Sequence, residues 1–317
     1  MRPANRTFFL GSFAVLLVAL GLMAGIAQDY VFSAAYVVLQ FVVLASAWNI
    51  LGGYTGYVNF GSNAFFAIGA YTALFMIQAF NAPLLLQMVA ASAMAGLLGL
   101  GVGLISLRLR GIFFSIATVA VAIILETAIL NTDYFGGAKG MQMMRPQVSA
   151  PFASYDKMLF FVMLILALVA VTLARYIQTS WIGRGLRAIK DNEEAAESVG
   201  VPTLKLKLVA TVISGALMGA AGAPLVMYMR FIEPVSAFNL NTSVSALAMP
   251  IIGGTSSWIG PVIGALLLGT VQQVVTVTIS SELNVLIVGV LLVFFVVVAP
   301  DGILGLVRRL RNKGVAK

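Results

Sequence analysis

Apolar residues run for the length of a bilayer crossing at about 8–27, 31–50, 84–106, 111–131, 158–177, 204–229 and 283–299. A span needs roughly 20 such residues, so each run predicts a transmembrane helix. Two further regions keep the apolar character but lose continuity. Residues 52–80 begin Gly-rich and polar before turning apolar, and residues 243–280 are interrupted by Pro250, Gly253, Gly254, Gly260 and Pro261. Each is expected to hold a broken or partly re-entrant element, because irregular backbone survives at membrane depth only where protein or a water-filled cavity satisfies it. In many transporters such discontinuous helices form the pathway. The expected fold class is all-α: a polytopic helical membrane protein with about eight to ten transmembrane helices, forming a single transmembrane domain over residues 1–317.

Polar positions concentrate in one loop. Ser180 to Gly200 carries Arg184, Arg187, Lys190, Asp191, Glu193, Glu194 and Glu197 between two apolar runs. Ile182, Leu186 and Ile189 recur at helical spacing, which predicts a first helix running up to Lys190. Asp191 with Glu194 three residues on fits a capping box. Gly200 is placed to end a helix, with Pro202 close behind. A second, short helix from about Asn192 to Val199 is therefore predicted. A compact capped element at 180–202 in so apolar a chain suits the gripping of a soluble partner. Its apolar stripe would seat in that partner, while Arg184, Arg187, Glu193 and Glu194 fix the register. The plain alternative is an amphipathic loop helix that is merely solvated.

Composition narrows the class. Of 317 residues 61% are hydrophobic and 9% charged, with mean hydropathy +1.02, more apolar surface than a soluble chain can hide. The net charge of +8 reads as the positive-inside bias of cytoplasmic loops rather than as a nucleic-acid footprint. On that rule Arg2 and Arg6, Arg108 and Arg110, Arg175 to Lys190, Lys205 and Lys207, and Arg308 to Lys317 face the cytoplasm. This is consistent with about ten crossings and both termini inside. Asp29, the loop from Thr132 to Lys157 (with Lys139, Arg145 and Lys157 against the rule) and the loop from Arg230 to Asn241 then face out. Arg2 and Arg6 ahead of the first run, with Gly25-Ile26-Ala27 after it, also fit a signal peptide. The length of the run favours a retained first helix.

The absence of Cys and His removes thiol chemistry, the commonest general base and the commonest metal ligand. No catalytic residue and no metal site is expected. No phosphate-binding loop is present, so any ATP is hydrolysed by another chain and no cofactor is bound by this one. Candidate binding groups are few. Asn59, Ser62 and Asn63 lie beside Gly52, Gly53, Gly56 and Gly61, either as caps of an interfacial turn or as the lining of a pathway. Glu126 sits in the outer third of its run, where an acidic group is costly and faces protein or water. It either attracts a substrate ammonium or reaches the outer interface. Glu233, Asn239 and Asn241 form a solvated outer loop or meet a binding protein, and Gln272 and Gln273 bond across helices. Small-residue pairs at Gly21/Gly25, Gly52/Gly56, Gly99/Gly103, Gly215/Gly219 and Gly260/Gly264 suit close helix packing. The two Gly-rich regions lie in opposite halves of the chain, but the halves do not align as a repeat.

Taken in order, several segments resemble the permease subunits of branched-chain amino acid ABC importers of the LivM type (the LivH/LivM permease family). They are WNILGGYTGYVNFGSNAFFAIGAYT at 48–72, RLRGIFFSIATVAVAIILE at 108–126, GGAKGM at 136–141, IGRGLRAIKDNEEAAESVGV at 182–201, IIGGTSSWIGPVIGALLLG at 251–269 and APDGILGL at 299–306. Glu194-Ala195-Ala196 with Gly200 also resembles the E-A-A-x-x-x-G core of the importer coupling loop, without its downstream hydrophobic-Pro ending. At Gly61-Ser62 relatives commonly place His or Gln after the Gly. The resemblance implies a bacterial inner-membrane, multi-pass importer subunit embedded in lipid, which pairs with a homologous permease, two cytoplasmic ATPases and a periplasmic solute-binding protein. It implies coupling through Arg184, Arg187, Glu193, Glu194, Ala195, Ala196 and Gly200, ATP-driven alternating access, and a branched-chain or related amino acid as solute. A urea or short-amide importer shares this architecture. An ion-coupled secondary transporter is the rival from another class, and it has no reason to keep the 194–200 motif. A membrane enzyme is a distant third.

Overall fold

The computed structural model describes residues 3–25, 28–143, 154–278 and 281–307. Arg2, the Ile26-Ala27 part of the cleavage-site expectation, Arg145 and Arg308 to Lys317 lie outside the described residues. The chain is helical almost throughout: α1 (Pro3–Gly25), α2 (Asp29–Trp48), α3 (Ser62–Phe80), α4 (Leu84–Ser106), α5 (Ile112–Leu130), α6 (Tyr155–Thr179), α7 (Trp181–Asp191), α8 (Glu193–Ser198), α9 (Thr203–Met229), α10 (Pro234–Ala237), α11 (Leu240–Gly253), α12 (Ile259–Thr278) and α13 (Ser281–Val298).

Among the described residues nine helical segments are long and apolar enough to cross a membrane. The protein is therefore a multi-pass membrane protein. The count falls within the eight to ten crossings expected. The first helix also forms, and its described apolar stretch is Leu10–Met23. The two expected breaks are present. α2 continues through a π-helical turn, Asn49–Gly53, and then gives way to irregular backbone before α3 starts at Ser62. In the second region a turn at 254–258 separates α11 from α12, while Pro250 and Pro261 sit inside those helices; a further break, between α10 and α11 at Phe238 and Asn239, lies before the region the sequence marked.

α9 lies at the centre, packed on α3 and α4. The small residues of these helices set how closely they approach. A Cβ on Gly69 would lie 2.1 Å from the Gly219 carbonyl, and one on Gly222 would lie 2.0 Å from the Phe66 carbonyl. α11 and α12 cross in the same way, at Gly253, Gly260 and Gly264. The expected Gly215/Gly219, Gly99/Gly103 and Gly260/Gly264 pairs thus meet other helices, whereas Gly21 and Gly25 touch nothing within 4 Å. α5 is the contrast: only 17% of its apolar window is buried, and Ile112, Phe113, Ile116, Ile123 and Ile124 stand exposed.

The α7–α8 loop marks one end of the bundle. At the opposite end the GGAKGM segment turns through Gly136, Gly137 and Gly140, all at positive φ, into β1 (Met141–Gln142). β1 pairs antiparallel with β2 (Phe231–Ile232) just after α9. A Cβ on Gly140 would sit 2.6 Å from the Ile232 carbonyl, so the motif requires Gly there for both conformation and space.

Candidate functional site

The loop element is built from its caps. The Ser180 hydroxyl accepts from the Gly183 amide at 3.4 Å and opens α7. The chain then breaks at Asn192, whose backbone is extended and whose side-chain oxygen accepts from the Ala195 amide at 3.0 Å. The N-cap of α8 is therefore Asn192, not Asp191. Asp191 finishes α7, so its side chain is out of register for the α8 amides, and the expected capping box is not the device used. The other end is as expected. Gly200 has φ +86°, its amide donates to the Glu197 carbonyl, and the Val201 amide donates to the Ala196 carbonyl. This is the paired bonding of a Schellman ending.

The two faces of the element differ. Leu186 and Ile189 are buried and Ile182 packs against the same core. The apolar stripe of α7 is therefore turned onto the protein's own bundle and is not free to seat in a partner. Arg184, Arg187, Glu194, Ala195 and Gly200 are exposed, whereas Ala196 is buried and Glu193 half-buried on the inner side. The exposed apolar groups are Trp181 and Val199, at 62% and 80%. With Arg184, Ala188, Val201 and Pro202 they line an open cleft of about 360 Å³.

The inner face is held by charge. Lys207, on the second turn of α9 and 3% exposed, reaches Glu193 Oε1 at 2.6 Å, the Tyr57 hydroxyl at 3.1 Å and the Leu107 carbonyl at 3.3 Å. The Tyr57 hydroxyl donates to Glu193 Oε2 at 2.5 Å. Burial pushes the Glu193 carboxyl up, but the bonds from Lys207 and Tyr57 and the charges of Lys207 and Arg110 outweigh it and hold it below the usual range. Beside this network the Lys190 ammonium donates to the Gly53 carbonyl at 2.8 Å, in the π turn of α2. On the outer side Arg110 pairs with Glu194 at 2.7 Å and approaches Glu197 at 3.8 Å. Lys207 and Arg110 entered the sequence reading only as charges on one side of the membrane, Lys190 as a charge of the loop at the end of its first helix, and Tyr57 did not enter it. Their partners lie up to 150 residues away, beyond the reach of local periodicity.

The break between α2 and α3 is satisfied by the helices around it. The Trp48 indole N–H donates to the Asn59 carbonyl at 2.8 Å, and Ser115 of α5 donates to the Val58 carbonyl at 2.8 Å. The Thr118 hydroxyl accepts from the Phe60 amide at 3.2 Å, and Asn59 Oδ1 accepts from the Gly61 amide at 2.8 Å. Asn59, Ser62 and Asn63 are all buried, and each is bonded within the chain. Asn63 joins two broken elements: its amide nitrogen donates to the Phe238 carbonyl, and its oxygen accepts from the Ser243 hydroxyl at 2.9 Å.

Glu126 and Asn63 do come together. With Ala122, Val235, Phe238 and Asn239 they line a cavity of about 330 Å³ between α5 and the α10–α11 break. Asn239 caps α11 by accepting from the Asn241 amide at 2.9 Å, and Glu233 accepts from Ser236 at 2.7 Å. Among the described residues no ion pair neutralises Glu126. The cavity thus offers one carboxylate, small apolar groups and the polar start of α11, a surface suited to a small solute with a cationic end. Gln272 bonds to Ser245 across α11 and α12 at 3.2 Å, as the sequence suggests.

Residues 30–296 match the family described as branched-chain amino acid transport system / permease component. The high-affinity branched-chain amino acid transport system permease protein LivM of Escherichia coli K12 is 27% identical over 311 residues, covering 89% of this chain and 72% of that protein. LivH of Salmonella typhimurium is 30% identical over 140 residues, 44% of each chain. BraD of Pseudomonas aeruginosa is 24% identical over 285 residues, 84% of this chain and 91% of its own. No solved structure matches. The family match spans most of the chain, including both broken elements and the α7–α8 loop: the chain belongs to the branched-chain amino acid transport permease family.

Proposed function

We propose that this chain is a permease subunit of an ABC importer that moves branched-chain amino acids across the bacterial inner membrane. The observation that carries the reading is the two-faced α7–α8 element. Its inner face is anchored by Glu193 and Lys190, while Arg184, Arg187, Glu194 and Ala195 are left outward beside the Trp181–Val199 cleft. An element so anchored and so exposed transmits force from a docked protein to the bundle. The cationic side chains of this end, Lys190, Lys205 and Lys207 among them, support a cytoplasmic position for it by the positive-inside rule. Two ATPase subunits dock there, a second permease covers the exposed face of α5, and a solute-binding protein delivers solute at the opposite end. ATP binding closes the ATPases, the α7–α8 elements move, and the cavity between the permeases changes the side to which it opens.

In this mechanism Glu126 meets the ammonium of the incoming amino acid, and the aliphatic walls of α5 accept its side chain. Glu126→Gln keeps the shape and removes the charge. It is expected to raise the KM for leucine by about tenfold with the maximal rate within about twofold, the pattern of a lost binding contact. An unchanged KM would make Glu126 a structural residue. A urea importer shares the architecture and lacks a cation for Glu126 to meet, so the same variant would leave urea uptake unaltered.

A further inference from the structure

Lys207 is a buried cation for which the docking surface has no use. A buried ion pair is a weak source of stability, because desolvation offsets much of the attraction. What it does supply is a fixed register between the elements it joins. We infer that Lys207, with Glu193 and Tyr57, clamps the α7–α8 element onto residues 53–63. That segment is then the strut that carries movement of the loop to the Asn63–Ser243 junction beside the Glu126 cavity. Lys207 is thus a positioning residue, acting through Glu193. The inference takes from the proposed function only what moves the loop; the contacts stand without it.

Each link of the strut is a polar contact. The loop holds the segment at two points: Glu193 at Tyr57, and Lys190 at the Gly53 carbonyl. Two points of attachment transmit rotation as well as translation. Between and beyond them the backbone is short and irregular, and it is fastened at Val58, Asn59, Phe60 and Gly61 to α2, to α5 and to itself. Gly56 is the one exposed residue from 51 to 64, and the rest are buried or half-buried. At Gly61 a Cβ would lie 2.5 Å from the Thr118 carbonyl, so the segment has no slack against α5. It ends at Asn63, which grips Phe238 and Ser243 at the second broken element. Packed, discretely bonded segments of this kind are the physical basis of coupling between distant sites.

The test has two arms. In the purified chain, hydrogen exchange reads the clamp without any ATPase. Lys207→Met is expected to speed exchange at the amides of 54–63 by about tenfold while α11 and α12 stay as in wild type. Exchange that rises everywhere, or nowhere, overturns the clamp. In the reconstituted complex, Lys207→Met is expected to keep ATP hydrolysis within about twofold and lower solute uptake by about tenfold, with Lys207→Arg restoring most of it. The milder Tyr57→Phe, which keeps the ion pair, is expected to lower uptake by about threefold. An unchanged number of ATP hydrolysed per solute, or hydrolysis and uptake falling in parallel, places the transmission in α6 and α9 and overturns the inference. If wild type shows no ATP-driven uptake, the functional reading fails, and the exchange arm still decides the strut.

Discussion

Glu194→Lys is expected to abolish coupled uptake and leave the chain folded. Glu194 is 78% exposed, and its partner Arg110 is 54% exposed. An ion pair this open to solvent is screened and adds little to stability, so reversing it costs little. Its inner neighbour Glu193, the half-buried anchor, is untouched. The docked ATPase, by contrast, meets Glu194 directly in this account, and a like charge placed in an interface costs several kcal/mol. Docking should therefore weaken by roughly a hundredfold, which is about 2.7 kcal/mol. The measurement is ATP-dependent uptake alongside a thermal melt of the purified chain. An unaltered melt with lost uptake is expected, and normal uptake would remove Glu194 from the docking surface.

The largest effect on folding is expected at the α11–α12 crossing. A Cβ on Gly264 would lie 1.8 Å from the Met249 carbonyl, and the facing Gly253 and Gly260 are equally tight against backbone. No side-chain rearrangement relieves such contacts, so the helices must separate. Ordinary overpacking costs about 1–3 kcal/mol, and a forced separation of two backbones lies at or beyond the top of that range. Gly264→Val should therefore fail to give a monodisperse protein in detergent. Gly21→Ala, at a position with nothing within 4 Å, should behave as wild type. A stable Gly264→Val protein would mean that the crossing is not held as described.

The spans were legible because a bilayer imposes one rule on every segment that crosses it. The run at 84–106 is α4, Leu84–Ser106, and the runs at 111–131 and 204–229 match α5 and α9 to within a residue at each end. The turn between α11 and α12 was legible from glycine, since Gly254 there takes φ +114°, whereas Pro250 and Pro261 lie inside helices and break neither. The Gly200 ending was legible because a Schellman motif is local. The start of α8 was misjudged by one residue: Asp191 and Asn192 both suit a cap, and the choice depends on where α7 ends. The inward turn of the Leu186–Ile189 stripe was not legible either, since an apolar stripe looks the same whether it faces a partner or its own bundle. The candidate site was least visible. Asn63 stood out as a polar residue among glycines, but its grip on Phe238 joins positions 175 residues apart. Tyr57 and Lys207 meet only after two helices have packed, and no spacing in the chain announces them.

On the proposed function, this chain moves branched-chain amino acids at the expense of ATP hydrolysed by partner subunits. The most direct measurement is uptake of radiolabelled leucine and urea into vesicles carrying the chain with its partner subunits, with and without ATP. Leucine uptake that requires ATP and survives collapse of the ion gradients is the expected result. Uptake that ignores ATP and stops when the gradients collapse would contradict it.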